Sequence, residues 1–267
     1  MQRIYLVLIL LFPVCGWSQS GWQLHLQQAV DAVALDVTET ADHSLFACGV
    51  EVDSNTFARY PAVWKLSAAG DLMQHATFPN LPQHTFHSIF SLNDTLVLAG
   101  TAIRQANHEL ILYRLTESLD LIDTMIVGAS VYDHVLVRAR MAVGDDILLV
   151  GHATHADSLW SDLFVCRTGF GASRGGVSYF PHPGIQYGYD IALTPDSNYL
   201  VAAMNYPDED PSFETTVVTF DSDMNYVSYV ELDQQMDSLV PDFGVFPSLI
   251  SLLPLSESTY LVGGEIW

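Results

Sequence analysis

Three groups of residues in this chain have side chains suited to chemistry. The run GHATHADS sets His152, His155 and Asp157 close together, and imidazole with carboxylate suits zinc or another transition metal. The run is also a loop after a strand with no fixed geometry and no Glu base nearby, so a solvated loop is the favoured reading. The run NYPDEDPSFE gathers Asp208, Glu209, Asp210 and Glu214 in a proline-bounded loop. Clustered carboxylates hold calcium, but neither an EF-hand nor a nonapeptide calcium pattern frames them, and an exposed acidic loop is the competing reading. No cofactor is expected, with calcium the one alternative. The third group is dispersed: Asp36, His87, Arg138, Asp190 and Ser251 each stand nine residues before a short apolar run. If folding gathers them, His87 between Asp36 and Arg138 becomes an acid/base candidate. The same five residues also suit a water-filled channel lined by partly paired charges.

Other chemistries find no footing. There is no GxSxG elbow, no P-loop and no dinucleotide fingerprint. Paired carboxylates for glycoside hydrolysis are defined by their separation in space, and no pair stands out along the chain. Asp145-Asp146 is accounted for by its turn position.

The elements that would position these groups come from a repeat. The runs LFACG, LVLAG, ILLVG, YLVAA and YLVGG begin at 45, 96, 147, 199 and 260, in steps of 51, 51, 52 and 61 residues. A polar turn precedes each copy (TADHS, LNDT, VGDD, PDSN, SEST), of the residue types that tolerate tight hairpins. Upstream of each turn lies another short strand: ALDV, FHSIF, LVRAR, YDIAL and SLISL. Downstream, AVWKLSAAGDL matches LILYRLTESLDL and VVTFDSDMNY, and a last strand such as MQHATF, IDTMIV or YVSYVEL closes the unit. The one stretch with helical character is Leu26–Val33.

Four strands per period of about 50 residues predict an all-β fold, a β-propeller with four-stranded blades. The pentapeptides are then second strands buried on both faces, which explains why they are continuously apolar, and their terminal Gly permits a bulge or close backbone approach. Blades are expected at roughly 30–80, 81–130, 131–183 and 184–240, with a partial one at 241–267. That half blade leaves an edge open, which reads as a fragment of a longer propeller. First strands should lie nearest the axis, putting Asp36, His87, Arg138, Asp190 and Ser251 around the channel.

Composition narrows the partners. The chain has 267 residues, with 9 Lys plus Arg against 31 Asp plus Glu and a formal net charge of -22. Such a chain should repel nucleic acid and anionic lipid. The N-terminus MQRIYLVLILLFPVCGWSQS has a basic Arg3, an apolar run Ile4–Val14 and a small-residue exit. Eleven residues make a helix of only about 16 Å, too short for a bilayer, so residues 1–20 read as a signal peptide cleaved near 18–20 and not as a membrane span. Cys15 lacks the preceding small residue that lipidation prefers. Cys48 and Cys166 sit inside apolar runs in different repeats, which reads as two buried thiols.

The turn-then-strand units TPDSNYLVAA and ADHSLFACG, with AVWKLSAAGDL after them, resemble the secreted bacterial β-propeller repeat proteins, of kelch-like and delta-60-type repeats. The double Gly of YLVGGEIW is similar to kelch repeats; the SxDxGxTW box of sialidases and the Trp-Asp signature of another propeller class are absent. The resemblance spans roughly residues 30–267 and implies export, in many relatives through a type IX sorting domain. On this basis the chain is expected to be a secreted or cell-surface, non-catalytic module binding an extracellular glycan, peptide or protein. The alternatives are a propeller hydrolase or lyase acting on extracellular polysaccharide, and a purely structural repeat region. Binding predicts exposed aromatics on one rim, with Trp160, Tyr187 and Tyr206 as candidates. An enzyme predicts unspent polar groups in the channel.

Overall fold

Each of the first four apolar pentapeptides forms the second strand of an antiparallel sheet, flanked on both sides by the runs the repeat predicts, and the fifth pairs with the run before it. The computed structural model describes residues 31–78, 84–104, 107–127, 132–142, 144–155, 160–170, 176–206, 214–232, 247–256 and 259–266. The strands β1 (Asp31–Glu39), β2 (Leu45–Val52), β3 (Arg59–Leu66) and β4 (Leu72–Thr77) make the first sheet, in that order. The second sheet is β5 (His84–Leu92), β6 (Thr95–Arg104), β7 (Asn107–Thr116) and β8 (Leu121–Val127). The third is β9 (Tyr132–Met141), β10 (Ile147–His155), β11 (Ser161–Thr168) and β12 (Val177–Tyr179). The fourth is β13 (Ile185–Leu193), β14 (Tyr199–Tyr206), β15 (Glu214–Phe220) and β16 (Tyr226–Glu231), and β17 (Pro247–Ser256) pairs with β18 (Thr259–Ile266). No helix occurs among the described residues; Asp31–Val33, at the end of the stretch with helical character, are strand. No helix among them is long and apolar enough to cross a membrane.

The sheets stack face to face around an axis. First strands are neighbours in sequence, β1 against β5, β5 against β9, β9 against β13 and β13 against β17. Alternation along the second strands then feeds two interfaces at once. On β6, Leu96 and Leu98 pack with Phe46, Cys48 and Val63 of the first sheet, while Val97 and Ala99 pack with Leu136, Ile147 and Phe164 of the third. On β10, Leu149 faces one cluster and Leu148 and Val150 the next, with Ile191, Val201 and Val218. Leu96, Val97, Leu98 and Ala99 are all fully buried, each Leu or Val contributing roughly 1.5–3 kcal/mol. Two-sided burial is why no polar residue interrupts the pentapeptides. Cys48 and Cys166 are free, buried thiols in different interfaces, and burial pushes the Cys166 thiol up to about 12 and raises that of Cys48.

Turn chemistry repeats too. In Thr40–Ser44, Ser67–Asp71, Thr116–Asp120, Thr194–Asn198 and Asp221–Asn225, the backbone N–H of the first residue donates to the carbonyl of the fifth. The fourth residue takes a positive φ in every case: His43 (65°), Gly70 (89°), Leu119 (63°), Ser197 (65°) and Met224 (68°). Four of the leading side chains, those of Ser67, Thr116, Thr194 and Asp221, accept the fifth residue's N–H at 2.8 to 3.1 Å. The leading Thr, Ser or Asp therefore specifies the turn locally.

Every first strand carries a bulge opposite the end of its pentapeptide: at Leu35, His87, Val137, Tyr189 and Ile250 the register slips by one residue. Beside it one glycine is required. A Cβ on Gly49, Gly100 or Gly151 would stand 2.0 to 2.1 Å from the carbonyl oxygen of Val33, Thr85 or Val135. In the fourth blade that position is Ala203, and the glycine has moved to its cross-strand partner Gly188.

Candidate functional site

The bulge sets which side chains reach the axis. Asp36, Arg138, Asp190 and Ser251 each pair with the fourth residue of their pentapeptide, Cys48, Val150, Ala202 and Gly263. In the second blade the fourth residue is Ala99, and its partner is Ser88, not His87. The reason is turn length. That hairpin closes through Asn93 and Asp94, at φ 47° and 57°, a two-residue turn one residue shorter than those of the first, third and fourth blades. Counting nine residues back therefore lands on the bulged His87.

Within the column the polar groups join neighbouring blades. The Ile89 N–H donates to Asp36 Oδ2 at 3.0 Å, the Ala139 N–H to Ser88 Oγ at 2.8 Å, and the Leu252 N–H to Asp190 Oδ2 at 2.9 Å. In each case the column residue takes the backbone N–H just past the column in the next blade. Arg138 cannot accept a hydrogen bond, and the corresponding Ile191 N–H is taken by Asp190 Oδ1 at 2.9 Å. Asp190 also accepts from Ser251 Oγ at 3.1 Å and from Arg140 in a two-pronged pair at 2.8 and 2.7 Å. Asp36 lies 3.5 Å from Arg138, across the axis from the first blade to the third. These charges largely neutralise one another.

His87 is different. It stands half-buried at the bulge, and burial, with Arg138 and His152 as positive neighbours, lowers its pKa to about 4. His152, on β10, is also lowered, chiefly by burial. Two buried atoms in this region, His152 Nδ1 and Arg138 Nε, have no hydrogen-bond partner. Unspent polar atoms beside desolvated imidazoles are a mark of functional sites.

Around His152 lies the end of the molecule where first strands begin and second strands finish. There His108 Nδ1 meets Asp133 Oδ1 at 2.7 Å, and the His108 backbone N–H donates to the same oxygen. His152 packs edge-on against Tyr187 at 4.9 Å between centroids, and Tyr187 against Tyr206 at 6.1 Å. Trp160, half exposed, precedes β11 at this same end. Nearby, Asn205 Nδ2 donates to Glu214 Oε2 at 3.0 Å, and His134 contacts the Tyr179 hydroxyl at 3.1 Å. The chain thus brings Tyr187 and Tyr206 together. His108 and Asp133, which carry no local sequence signal, come from different blades.

Among the described residues no group of three His, Cys, Asp or Glu could hold an ion, and both metal candidates extend beyond those residues. Asp157, Asp208 and Asp210 lie outside the described residues, as do the His155 side chain, residues 1–20 and Cys15. His152 belongs instead to the aromatic cluster, and Glu214 to Asn205.

No family model matches the chain, and no curated protein matches its sequence. Among solved structures it is similar to an alpha-L-arabinanase of Penicillium chrysogenum complexed with arabinobiose, at TM-score 0.50 and 11% identity, over 74% of this chain and 66% of that one. A putative 6-phosphogluconolactonase from Bacteroides fragilis matches at TM-score 0.39 and 10% identity, over 85% of this chain and 76% of that one. The chain spans about two thirds of the arabinanase, and likeness at this identity bears on architecture alone. Together with four antiparallel four-stranded sheets around one axis, it makes the fold a β-propeller.

Proposed function

We propose that this propeller is an exported glycan hydrolase whose site is the His- and Tyr-lined mouth, a reading the observations favour over a non-catalytic binding module. The observation that carries it is the group of His87, His152 and the His108–Asp133 pair beside Tyr187 and Tyr206. Aromatic faces suit the apolar faces of sugar rings, and imidazole and carboxylate supply proton transfer. The arabinanase likeness supports the choice by showing that this architecture serves a carbohydrate-cleaving protein. Fold by itself does not assign chemistry.

One observation favours the binding reading: the column charges Asp36, Arg138, Arg140 and Asp190 are engaged with one another and with backbone groups. The two readings separate in a reducing-end assay on arabinan, xylan and galactan. Hydrolysis predicts new chain ends, a loss of about 100-fold or more in Asp133→Asn, and a comparable loss in His87→Ala if that imidazole moves a proton. Retention of a polysaccharide without cleavage would instead establish the binding module.

A further inference from the structure

We infer that the substrate is an uncharged polysaccharide, cut by hydrolysis and not by elimination. The inference rests on the glycan reading above and narrows it by charge. Elimination requires a uronic acid unit, because the proton removed is the one beside its carboxylate, and the developing enolate needs cations or preorganised hydrogen-bond donors against it. Such a substrate is a polyanion, and polyanions are held by Arg and Lys.

This chain has 9 Lys plus Arg against 31 Asp plus Glu. The described cations near the axis lie against carboxylates: Arg140 is paired with Asp190, and Arg138 lies 3.5 Å from Asp36, with its Nε unpartnered. Farther out, Arg167 holds Asp146, Lys65 lies over the Phe46 ring and Arg114 over the Phe170 ring. At the mouth end, Arg59 begins β3, the third strand from the axis, and Arg104 ends β6. Against them, the same strand ends carry Glu51, Glu109, Asp133, Asp162 and Glu214. Burial disfavours protonation of His87, His134 and His152, so these imidazoles add no positive charge at neutral pH. Counted as formal charges, paired or not, these five carboxylates outnumber the two arginines, so the mouth is net negative and a polyuronate would be repelled where it must dock.

What remains suits sugars rich in hydroxyl groups. Carboxylates accept from hydroxyls, the Arg138 Nε and His152 Nδ1 atoms have hydrogen-bonding capacity unspent, and Tyr187 and Tyr206 present rings. Hydrolysis needs only water as co-reactant. The water oxygen bonds to the anomeric carbon as the bond to the leaving oxygen breaks; one proton goes to the leaving oxygen and one from water goes to a base.

The test is affinity electrophoresis and product analysis of the full chain against arabinan, xylan and galactan, with polygalacturonate and alginate in parallel. The expected result is retardation and new reducing ends with at least one uncharged polysaccharide. Its affinity should change by less than about two-fold from low to high salt, since no charged pair forms. Retardation by a polyuronate at low salt, or an unsaturated product absorbing in the ultraviolet, overturns the inference while the glycan reading stands. A chain that neither binds nor cuts any of the five overturns both.

Discussion

The axial column and the mouth both gather polar side chains, yet they use them in largely opposite ways. In the column, Asp36, Ser88 and Asp190 accept backbone N–H groups from the next blade, and Arg140 closes on Asp190. At the mouth, His87 and His152 are desolvated beside atoms that have no partner. Polar groups that are fully engaged act as joints between sheets, whereas those left partly unsatisfied are available to a ligand. The difference implies that column substitutions should unfold the protein and mouth substitutions should disarm it.

The largest effect should come from Asp190→Ala. Its side chain is 1% exposed and receives Arg140, Ser251 and the N–H groups of Ile191 and Leu252. Removal strands a guanidinium and two backbone donors together, a loss of about 3–5 kcal/mol in denaturant unfolding. Asp36→Ala should cost less, because its ion pair is looser and partly solvated. Negligible effects at both positions would mean that the blades are not joined through this column.

Next comes a pair of neighbours that the comparison splits. Ser88→Ala leaves the Ala139 N–H buried without an acceptor and should cost about 1–3 kcal/mol with little change in turnover per folded molecule. His87→Ala should do the reverse, lowering turnover while costing under about 1 kcal/mol. Unfolding and activity measured on both variants decide whether the joint and the site are separate.

That pair also shows where the sequence was legible. The period, the turn residues and the apolar pentapeptides sufficed for the propeller, because two-sided burial and left-handed turn positions leave local marks. Four of the five column residues followed by counting: the first, third and fourth hairpins share one length, and in the fifth a second bulge between Pro254 and Ser256 restores the same count. Asn93-Asp94 shortened one hairpin, a register matter that slides every residue before it, and so His87 took the place of Ser88. Trp160, Tyr187 and Tyr206 were named as candidate rim aromatics, of which Tyr187 and Tyr206 pack together. The His108–Asp133 pair was not, because these two residues, 25 apart in sequence and on adjacent blades, meet only through the radial stacking. No pattern along the chain encodes that distance.

The smallest effect is in acid, and its sign follows from burial. In the unfolded chain His87 titrates near 6.5, and in the folded protein near 4, because the charged form is desolvated beside Arg138. Between these values the unfolded state binds more protons, so folding stability rises with pH. The contribution is fully present above pH 6.5 and is lost as pH falls towards 4; His134 and His152 shift in the same direction. Asp53 and Asp221, held below the ordinary carboxylate range by hydrogen bonds to Asn55 and Asn225, give up their share at lower pH. Unfolding curves across this window should therefore steepen in acid for the parent chain and flatten in His87→Ala, while Ser88→Ala keeps the parent slope from a lower starting point. An unchanged slope in His87→Ala would mean that its imidazole is solvated, and the distinction between an engaged axis and a partly unspent mouth would lose its central residue.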